Sequence, residues 1–217
     1  MVIGMFTAGF LLAAYGNPNG KTESQNPAES VPEIKIGTQT WAAKNLEVST
    51  FRNGVAIPEA KTKEEWLKAG AEGKPAWCYY DNDPENGKKY GRLYNWYAVN
   101  DPRGLAPKGW HVSSDAEWKT LIDYLGGERE AGTKMKATSG WSEEGTSISR
   151  SGFAGLPGGW RSDLADFYDV GSGGYWWSST EYSADSAWSH YLYTENTLVD
   201  RYYYNKRLGM SVRCLRD

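Results

Sequence analysis

The most regular alternation of hydrophobic and polar side chains lies in residues 175–217. In residues 188–193 the set Trp188, His190 and Leu192 alternates with Ser189, Tyr191 and Tyr193, and in residues 210–215 the set Met210, Val212 and Cys214 alternates with Ser211, Arg213 and Leu215. A period of two is typical of a strand with one buried side. The pattern therefore predicts strands that carry a buried side and a display side rich in tyrosine, asparagine and aspartate, on a scaffold built from the preceding residues.

A helical period marks residues 114–125. Ser114 and Glu117 have the spacing of a capping box, in which each side chain satisfies a backbone donor of the first turn. Four apolar side chains follow at i, i+3, i+4 and i+7 and predict one buried face: Trp118, Leu121, Ile122 and Leu125. The glycine pair at 126–127 ends the helix, and a second, shorter helix is predicted over residues 128–137.

Weaker local signals predict the remaining elements. These are a hairpin over residues 34–41, a strand over 48–51 followed by an Asn53-Gly54 turn, a helix over 62–68 with Thr62 and Glu65 as its capping box, a helical stretch over 90–99, and an irregular hairpin over 151–161. Together they predict a domain with many short elements and long connections.

The first residues have the pattern of an export signal. Residues 1–14 are apolar, but they are too few to span a bilayer, which takes roughly 20 residues. They fit the apolar core of a secretory signal peptide, although no Lys or Arg precedes them. The start resembles a lipoprotein signal in which Tyr15 stands where a cysteine is required. We therefore expect a signal-like segment (1–16), a disordered tether (17–32) and a domain (33–217) that is exported and meets a membrane only through an N-terminal signal or anchor.

Composition narrows the range of partners. The chain has 24 basic and 27 acidic side chains, a net charge of -3 and no block of basic residues. We therefore do not expect nucleic acid as a partner. It has 11 Trp and 15 Tyr but only 5 Phe. Amphipathic aromatic residues are common at recognition surfaces, while burial in a core short of aliphatic residues accounts for most of the Trp. The composition favours a loop-rich domain with a recognition surface.

Candidate chemistry is sparse. Cys78, Cys214, His111 and His190 stand singly, without the short spacings of metal sites or a partner for nucleophilic catalysis. The acidic residues within 81–87 do not have the spacing of a calcium loop. The sequence therefore predicts no catalytic residue, metal or cofactor. In an exported protein the two cysteines favour a Cys78–Cys214 disulfide, with buried reduced thiols as the alternative.

Five motifs, in order, resemble the Fibrobacter succinogenes major paralogous domain. They are GRLYNWYAV, GWHVSSDAEWKTL, SGFAGLPGGWR, YWWSSTEY and MSVRCLRD, and the resemblance extends from about residue 34 to residue 217. It implies a bacterial, exported or lipoprotein-like protein with a C-type-lectin-like fold, related to formylglycine-generating enzymes and to the variable proteins of diversity-generating retroelements. The expected fold class is thus α+β, loop-rich, with two short helices packed on antiparallel sheets.

The same resemblance implies where a ligand binds. In the variable proteins the last strands and loops present the ligand-binding positions, and here the matching segment lies between the motifs at 176–179 and 211–214. The expected ligand-binding residues are Tyr182, His190, Tyr191, Tyr193, Asp200, Tyr202, Tyr203, Tyr204 and Arg207. The expected partner is a surface protein or a glycan, and the segment has the composition of one that can be diversified.

Three functions remain to be compared. The first is a cell-surface binding module without catalysis, which the clustered tyrosines favour over ordinary solvated loops. The second is an oxidoreductase related to formylglycine-generating enzymes. Those enzymes use two nearby cysteines to bind copper, whereas Cys214 is alone in the terminal region and Cys78 is far from it in sequence. The third is a structural surface or adhesin component. We expect the binding module.

Overall fold

Two main sheets and five α-helices form the part of the chain that the computed structural model describes, residues 31–142 and 150–217. The strands are β1 (Glu33–Ile36), β2 (Gln39–Ala42), β3 (Trp77–Cys78), β4 (Leu93–Tyr94), β5 (Trp110–Val112), β6 (Gly158–Arg161), β7 (Phe167–Val170), β8 (Gly173–Glu181), β9 (Ser186–Tyr193), β10 (Asp200–Asn205) and β11 (Cys214–Arg216). The helices are α1 (Lys63–Ala71), α2 (Pro84–Tyr90), α3 (Trp96–Val99), α4 (Asp115–Tyr124) and α5 (Glu128–Met135), with a 3₁₀ turn at Tyr80–Asn82. The fold is α+β and rich in loops. The signal-like segment and most of the predicted tether lie outside the described residues.

The strands form a four-stranded sheet in the order β1-β2-β11-β5 and a five-stranded sheet in the order β10-β9-β8-β6-β7, beside a β3–β4 pair. The predicted hairpin over residues 34–41 is confirmed as β1 and β2. The expectation of purely antiparallel sheets is wrong at one place, where Gly159 of β6 and Gly174 of β8 are parallel partners. Gly159 has φ of 64°, and a Cβ atom there would overlap the carbonyl oxygen of Tyr168, so only glycine fits this junction.

The predicted capping boxes are confirmed at both α1 and α4. The count of two helices was too low, because α2 begins at an Asp83 cap followed by a proline and α3 is a single turn. The helix predicted over residues 90–99 is interrupted, since Gly91 has φ of 80° and Leu93–Tyr94 pairs with β3. The strand predicted over 48–51 is also wrong; it is reduced to one isolated bridge.

Two hydrophobic cores lie on opposite faces of the β8–β9 ribbon. The first core contains Trp177 and Ala187, and the second contains Trp176 and Leu192 beneath α4 and α5. The predicted buried face of α4 is confirmed, with Trp118 at its centre.

The terminal alternation has a different meaning from the one predicted. Met210, Val212 and Cys214 pack in the first core, whereas Leu215 packs in the second core and Arg213 is itself buried. Residues 210–215, predicted as a half-buried strand, are therefore buried on both sides, and within this range only residues from Cys214 onward form a strand. Alternation in the sequence indicates that the two sides of a segment differ in polarity. Contacts with residues distant in sequence determine whether each side is buried.

Buried cations connect the loops around these cores. Arg213 donates hydrogen bonds to the Asn45 side chain and to the carbonyl oxygens of Ala42 and Phe153. Arg161 donates to carbonyl oxygens at Ala60, Thr62 and Ala165. Within the described ranges neither guanidinium forms an ion pair, and burial lowers the pKa of Arg213 to about 9. A guanidinium carries five donors in a rigid fork, so each arginine joins segments far apart in sequence.

The predicted Cys78–Cys214 disulfide is not formed. Both thiols are free and buried, Cys78 beside Trp66 and Leu93 in a third cluster and Cys214 in the first core. Burial raises the pKa of each thiol to about 12. The disulfide prediction was wrong because β3 and β11 belong to different sheets, and the alternative of buried reduced thiols describes both residues.

Candidate functional site

A row of aromatic side chains crosses all five strands of the larger sheet. We call it the aromatic row, and its members in strand order are Tyr168, Trp160, Tyr175, Tyr191 and Tyr204. The distances between consecutive ring centroids are 5.0, 6.0, 5.4 and 6.3 Å. Since neighbouring strands lie about 4.8 Å apart, the row is about 20 Å long.

Strand register places these rings on one face. Trp160 is the direct partner of Tyr168, and Tyr175 is the direct partner of Tyr191. Side chains of directly opposed residues project from the same side of a sheet, so each pair stacks. Tyr168 is 44% exposed and Tyr175 only 2% exposed, while the other three rings are half-buried. The middle ring of the row is thus buried, and the rings on either side of it are at least partly exposed.

Asp169 joins the middle of the row by hydrogen bonds. Its Oδ2 atom accepts from Trp160 Nε1 at 2.9 Å, from the Tyr175 hydroxyl at 2.6 Å and from the Tyr193 hydroxyl at 3.3 Å. The hydroxyls of Tyr175 and Tyr193 also contact each other. Burial, and after it the hydrogen bond to Asp169, raises the pKa of Tyr175. These rings are therefore held in fixed orientations.

A second group of rings, which we call the tyrosine stack, lies at the β10 edge of the sheet. Tyr203 lies between Tyr182 and Tyr202, with centroid distances of 3.9 and 4.6 Å and interplanar angles of 9° and 12°. The two outer rings are 49% and 48% exposed. Tyr202 also meets Tyr204 edge to face at 5.4 Å, so the stack continues into the aromatic row.

The structure therefore brings together most of the residues that the sequence predicts as ligand-binding. Tyr182, Tyr191, Tyr193, Tyr202, Tyr203 and Tyr204 belong to the row, the stack or the Asp169 group. Asp200 lies half-buried at the start of β10, and burial followed by the charge of Glu128 raises its pKa.

Two predicted residues lie apart from these rings. His190 was expected among the ligand-binding residues, but it is 1% exposed because its side of β9 faces α4, where it stacks on Trp118 at 4.9 Å. Arg207 is exposed, and its aliphatic atoms pack against Gly70 of α1.

Sequence reasoning missed Trp160, Tyr168, Asp169 and Tyr175. Trp160, Tyr168 and Tyr175 all come before the segment that the resemblance marks as variable, which begins after the motif at 176–179. The local signals were the alternating sequence FYDV over residues 167–170 and the two motifs that contain Trp160 and Tyr175.

This surface presents two kinds of chemical group, aromatic rings and hydroxyls. It offers ring faces, ring edges and phenol hydroxyls, which combine apolar contact area with hydrogen bonding. Within the described ranges, no group of three or more His, Cys, Asp or Glu side chains is placed to hold a metal ion. None of the helices in the same ranges is long and apolar enough to cross a membrane.

Comparison with known proteins gives one match. Residues 34–216 match the profile of the family described as the Fibrobacter succinogenes major domain. Neither the curated proteins nor the solved structures include a match to this chain. The matched range takes in nearly all the described elements, including both main sheets. The chain therefore belongs to the Fibrobacter succinogenes major domain family.

Proposed function

We propose that this domain is a ligand-binding module without catalytic activity, and that its ligand lies along the aromatic row and the tyrosine stack. The observation that carries the proposal is the unbroken series of ring contacts from Tyr168 to Tyr202, exposed at both ends. Contiguous exposed apolar surface is costly to a folded protein and marks interaction sites. Tyrosine adds contact area at low entropy cost, which favours recognition.

The core accounts for the buried aromatic residues but not for the exposed rings of the tyrosine stack. Trp41, Trp66, Trp118 and Trp177 are at most 1% exposed and fill the interior. The tyrosines of the stack lie at the surface instead, and packing of the core does not require their exposed rings. This contrast supports recognition over an explanation by solvated loops.

The shape of the row favours an elongated ligand. A row of rings about 20 Å long, set by the strand spacing, suits several units of a glycan chain or an extended segment of a surface protein. Both remain candidates. A C-type-lectin-like arrangement is part of the proposal and is supported by α4 and α5, which pack on one face of the ribbon while the row occupies the other. Export to the cell surface is supported by the pattern of residues 1–16.

The state of the thiols favours binding over an oxidoreductase related to formylglycine-generating enzymes. Reactive cysteines act as thiolates, and burial raises the pKa of both Cys78 and Cys214 to about 12. The two thiols also lie in different clusters. Neither is therefore suited to thiolate chemistry at neutral pH.

The test is a screen of the full chain against glycan and bacterial surface-protein arrays. Tyr168→Ala and Tyr202→Ala remove exposed rings at the two ends, and Tyr124→Ala on α4 is the matched control, because Tyr124 is 65% exposed and lies outside both groups of rings. We expect binding to fall at least tenfold in the first two variants and to persist in the control. Equal binding by all three variants would mean that the ligand binds elsewhere on the domain. If the parent chain binds nothing, the function of a structural surface component would be favoured.

A further inference from the structure

Two carboxylates lie on the face of the sheet that carries the aromatic row. Asp169 accepts hydrogen bonds from Tyr175 and Tyr193 through its Oδ2 atom alone. Asp200 is the direct strand partner of Tyr191, which is itself the direct partner of Tyr175. Directly opposed side chains project from one side of a sheet, so Asp200 lies beside the row. Both carboxylates are half-buried, and Asp169 Oδ1 and both Asp200 oxygens have no hydrogen-bond partner within the described ranges.

The two charges act on the same ring. Burial raises the pKa of Tyr193, its hydrogen bond with Tyr175 opposes this shift, and the charges of Asp169 and Asp200 add to it. The Tyr193 hydroxyl lies 3.3 Å from Asp169 Oδ2, and the ring centroids of Tyr193 and Tyr191 are 5.6 Å apart. Both rings are half-buried and therefore partly accessible. The rings and the carboxylates thus form one partly exposed group.

These carboxylates differ from comparable ones elsewhere in the domain. Six acidic residues of the described ranges are half-buried. Four of them have a basic partner at 2.7 to 3.4 Å, namely Glu59 with Lys61, Asp101 with Arg103, Asp115 with Arg201 and Glu117 with His111. Asp169 and Asp200 are the remaining two, and neither forms an ion pair within those ranges. Charges removed from water are normally paired, so the row carries two negative charges that the described part of the domain does not compensate.

The opposite face of the same strands shows how this domain compensates such a charge. Arg201 of β10 donates to both oxygens of Asp115 at 2.7 and 2.8 Å, and its guanidinium lies 3.3 Å from the ring centroid of Trp188 on β9. A cation is thus held by a carboxylate and an aromatic ring together. On the face of the row the rings and the carboxylates are present without such a cation from the described residues.

We propose that the aromatic row binds a basic segment of a partner protein, with a lysine or arginine side chain seated on Tyr191 and Tyr193 beside Asp169 and Asp200. This inference rests on the proposed binding function and names the class of its ligand. Ammonium and guanidinium groups offer only donors to the free acceptor atoms, and ring faces attract cations. A neutral glycan would leave both charges uncompensated, and an anionic glycan would be repelled.

The test measures the binding of fluorescently labelled hexapeptides to the full chain by anisotropy, at neutral pH and about 0.15 M salt. Six extended residues span about 20 Å, which is the length of the row. The probe alternates lysine with threonine, and two control peptides carry glutamine or glutamate in place of lysine. We expect saturable binding of the lysine peptide, at least about tenfold tighter than that of either control.

Three variants locate the charge. Asp169→Asn and Asp200→Asn each remove one negative charge, and Asp169→Asn keeps an acceptor for the rings; we expect each to weaken binding of the lysine peptide about tenfold. Glu64→Gln is the matched control, because Glu64 is exposed on α1 and lies outside the row. The inference is overturned if the lysine peptide does not bind, if the glutamine peptide binds equally well, or if Glu64→Gln weakens binding as much as the other two variants.

The array screen with Tyr168→Ala and Tyr202→Ala separates this inference from the proposed function. A neutral ligand that is lost in the tyrosine variants, but binds Asp169→Asn and Asp200→Asn as it binds the parent chain, would retain the binding function and overturn the basic partner. Weaker binding of the lysine peptide in all four variants, with binding unchanged in Tyr124→Ala, would support both.

Discussion

The two faces of the β8–β9 ribbon use aromatic residues in different arrangements. On the face under α4 and α5, Trp118, Phe153 and Trp176 meet pairwise at 5.6 to 6.2 Å as a closed cluster, and each is at most 1% exposed. On the other face, beside the first core, the rings of the aromatic row follow one another in a line, with Tyr168 exposed at one end and Tyr175 buried in the middle. The same residue class thus builds a core when rings surround one another, and a surface when they form a row.

The largest expected effect tests the closed cluster. Trp118→Ala removes a ring that contacts Trp41, Phe153, Trp176 and His190, and we expect a loss of about 3–5 kcal/mol in the free energy of unfolding, since the cavity cannot collapse fully. Urea denaturation measures it. A loss of unfolding free energy below about 1 kcal/mol would contradict the interpretation that the rings under α4 and α5 form a closed core.

A buried cation beside the same cluster sharpens the contrast. Arg213→Met removes the guanidinium donors to the carbonyl oxygens of Ala42 and Phe153. Asn45 Oδ1 then keeps only its hydrogen bond from Trp176, and we expect a loss of about 2–4 kcal/mol in unfolding free energy. Arg207→Met, at an exposed arginine six residues earlier, is the control and should change stability by less than about 0.5 kcal/mol. Similar losses in both variants would contradict the assignment of Arg213 as a cross-link.

The aromatic row should respond more in binding than in stability. Asp169→Ala removes the acceptor shared by Trp160, Tyr175 and Tyr193, and it places alanine at φ of 64°; we expect a stability loss of about 1–2 kcal/mol. Asp169→Asn keeps an acceptor and tolerates this backbone, so its loss should be smaller.

Thermal unfolding and array binding of the two Asp169 variants separate the roles. If Asp169 orients the row, ligand binding falls in Asp169→Ala well below the saturated level of the parent while the protein remains folded. A stability loss with unchanged binding would show that the orientation of these rings is immaterial to the ligand.

The smallest expected effect is the pH dependence of the two histidines, which should have opposite signs. Burial lowers the pKa of His190, so its contribution to stability is present above pH 6.5 and is lost as the pH falls through its folded-state pKa. Burial alone would lower the pKa of His111, but hydrogen bonds to Asp217 and Glu117 raise it. Its contribution is full below pH 6.5 and is lost as the pH rises through the folded-state pKa.

Unfolding free energies at pH 5.5 and pH 8 check these signs. The difference between the parent chain and His190→Gln should be larger at pH 8, and the difference between the parent and His111→Gln should be larger at pH 5.5. The same pH trend in both variants would contradict the assignment of one buried neutral histidine and one ion-paired histidine.

Elements with local signals were predictable from the sequence. The capping boxes at Thr62 and Ser114, the buried face of α4 and the first hairpin each depend on residues a few positions apart. Strand register and sheet order depend on distant contacts instead. For this reason the sequence did not predict the parallel β6–β8 junction or the burial of both sides of residues 210–215.

Of the candidate site, only the residues that come from β9, β10 and the connection before β9 were predictable from the sequence. The tyrosines of β9 and β10 are close in sequence and were expected together, whereas Trp160 and Tyr168 join them only through the pairing of β6 with β7 and β8. The Cys78–Cys214 pairing failed for the related reason that chain order does not give the distance between two thiols.

The position of β11 has a consequence for synthesis of the protein. Leu215 pairs with Trp41 on one side and with His111 on the other, so the strand at residues 214–216 separates two strands made much earlier. The four-stranded sheet cannot form until residues 214–216 have left the ribosome. Pairing between strands that are distant in sequence also slows folding. A premature stop codon just before Cys214 would therefore leave β2 and β5 each with an edge that lacks its β11 partner. Exposed strand edges of this kind promote aggregation.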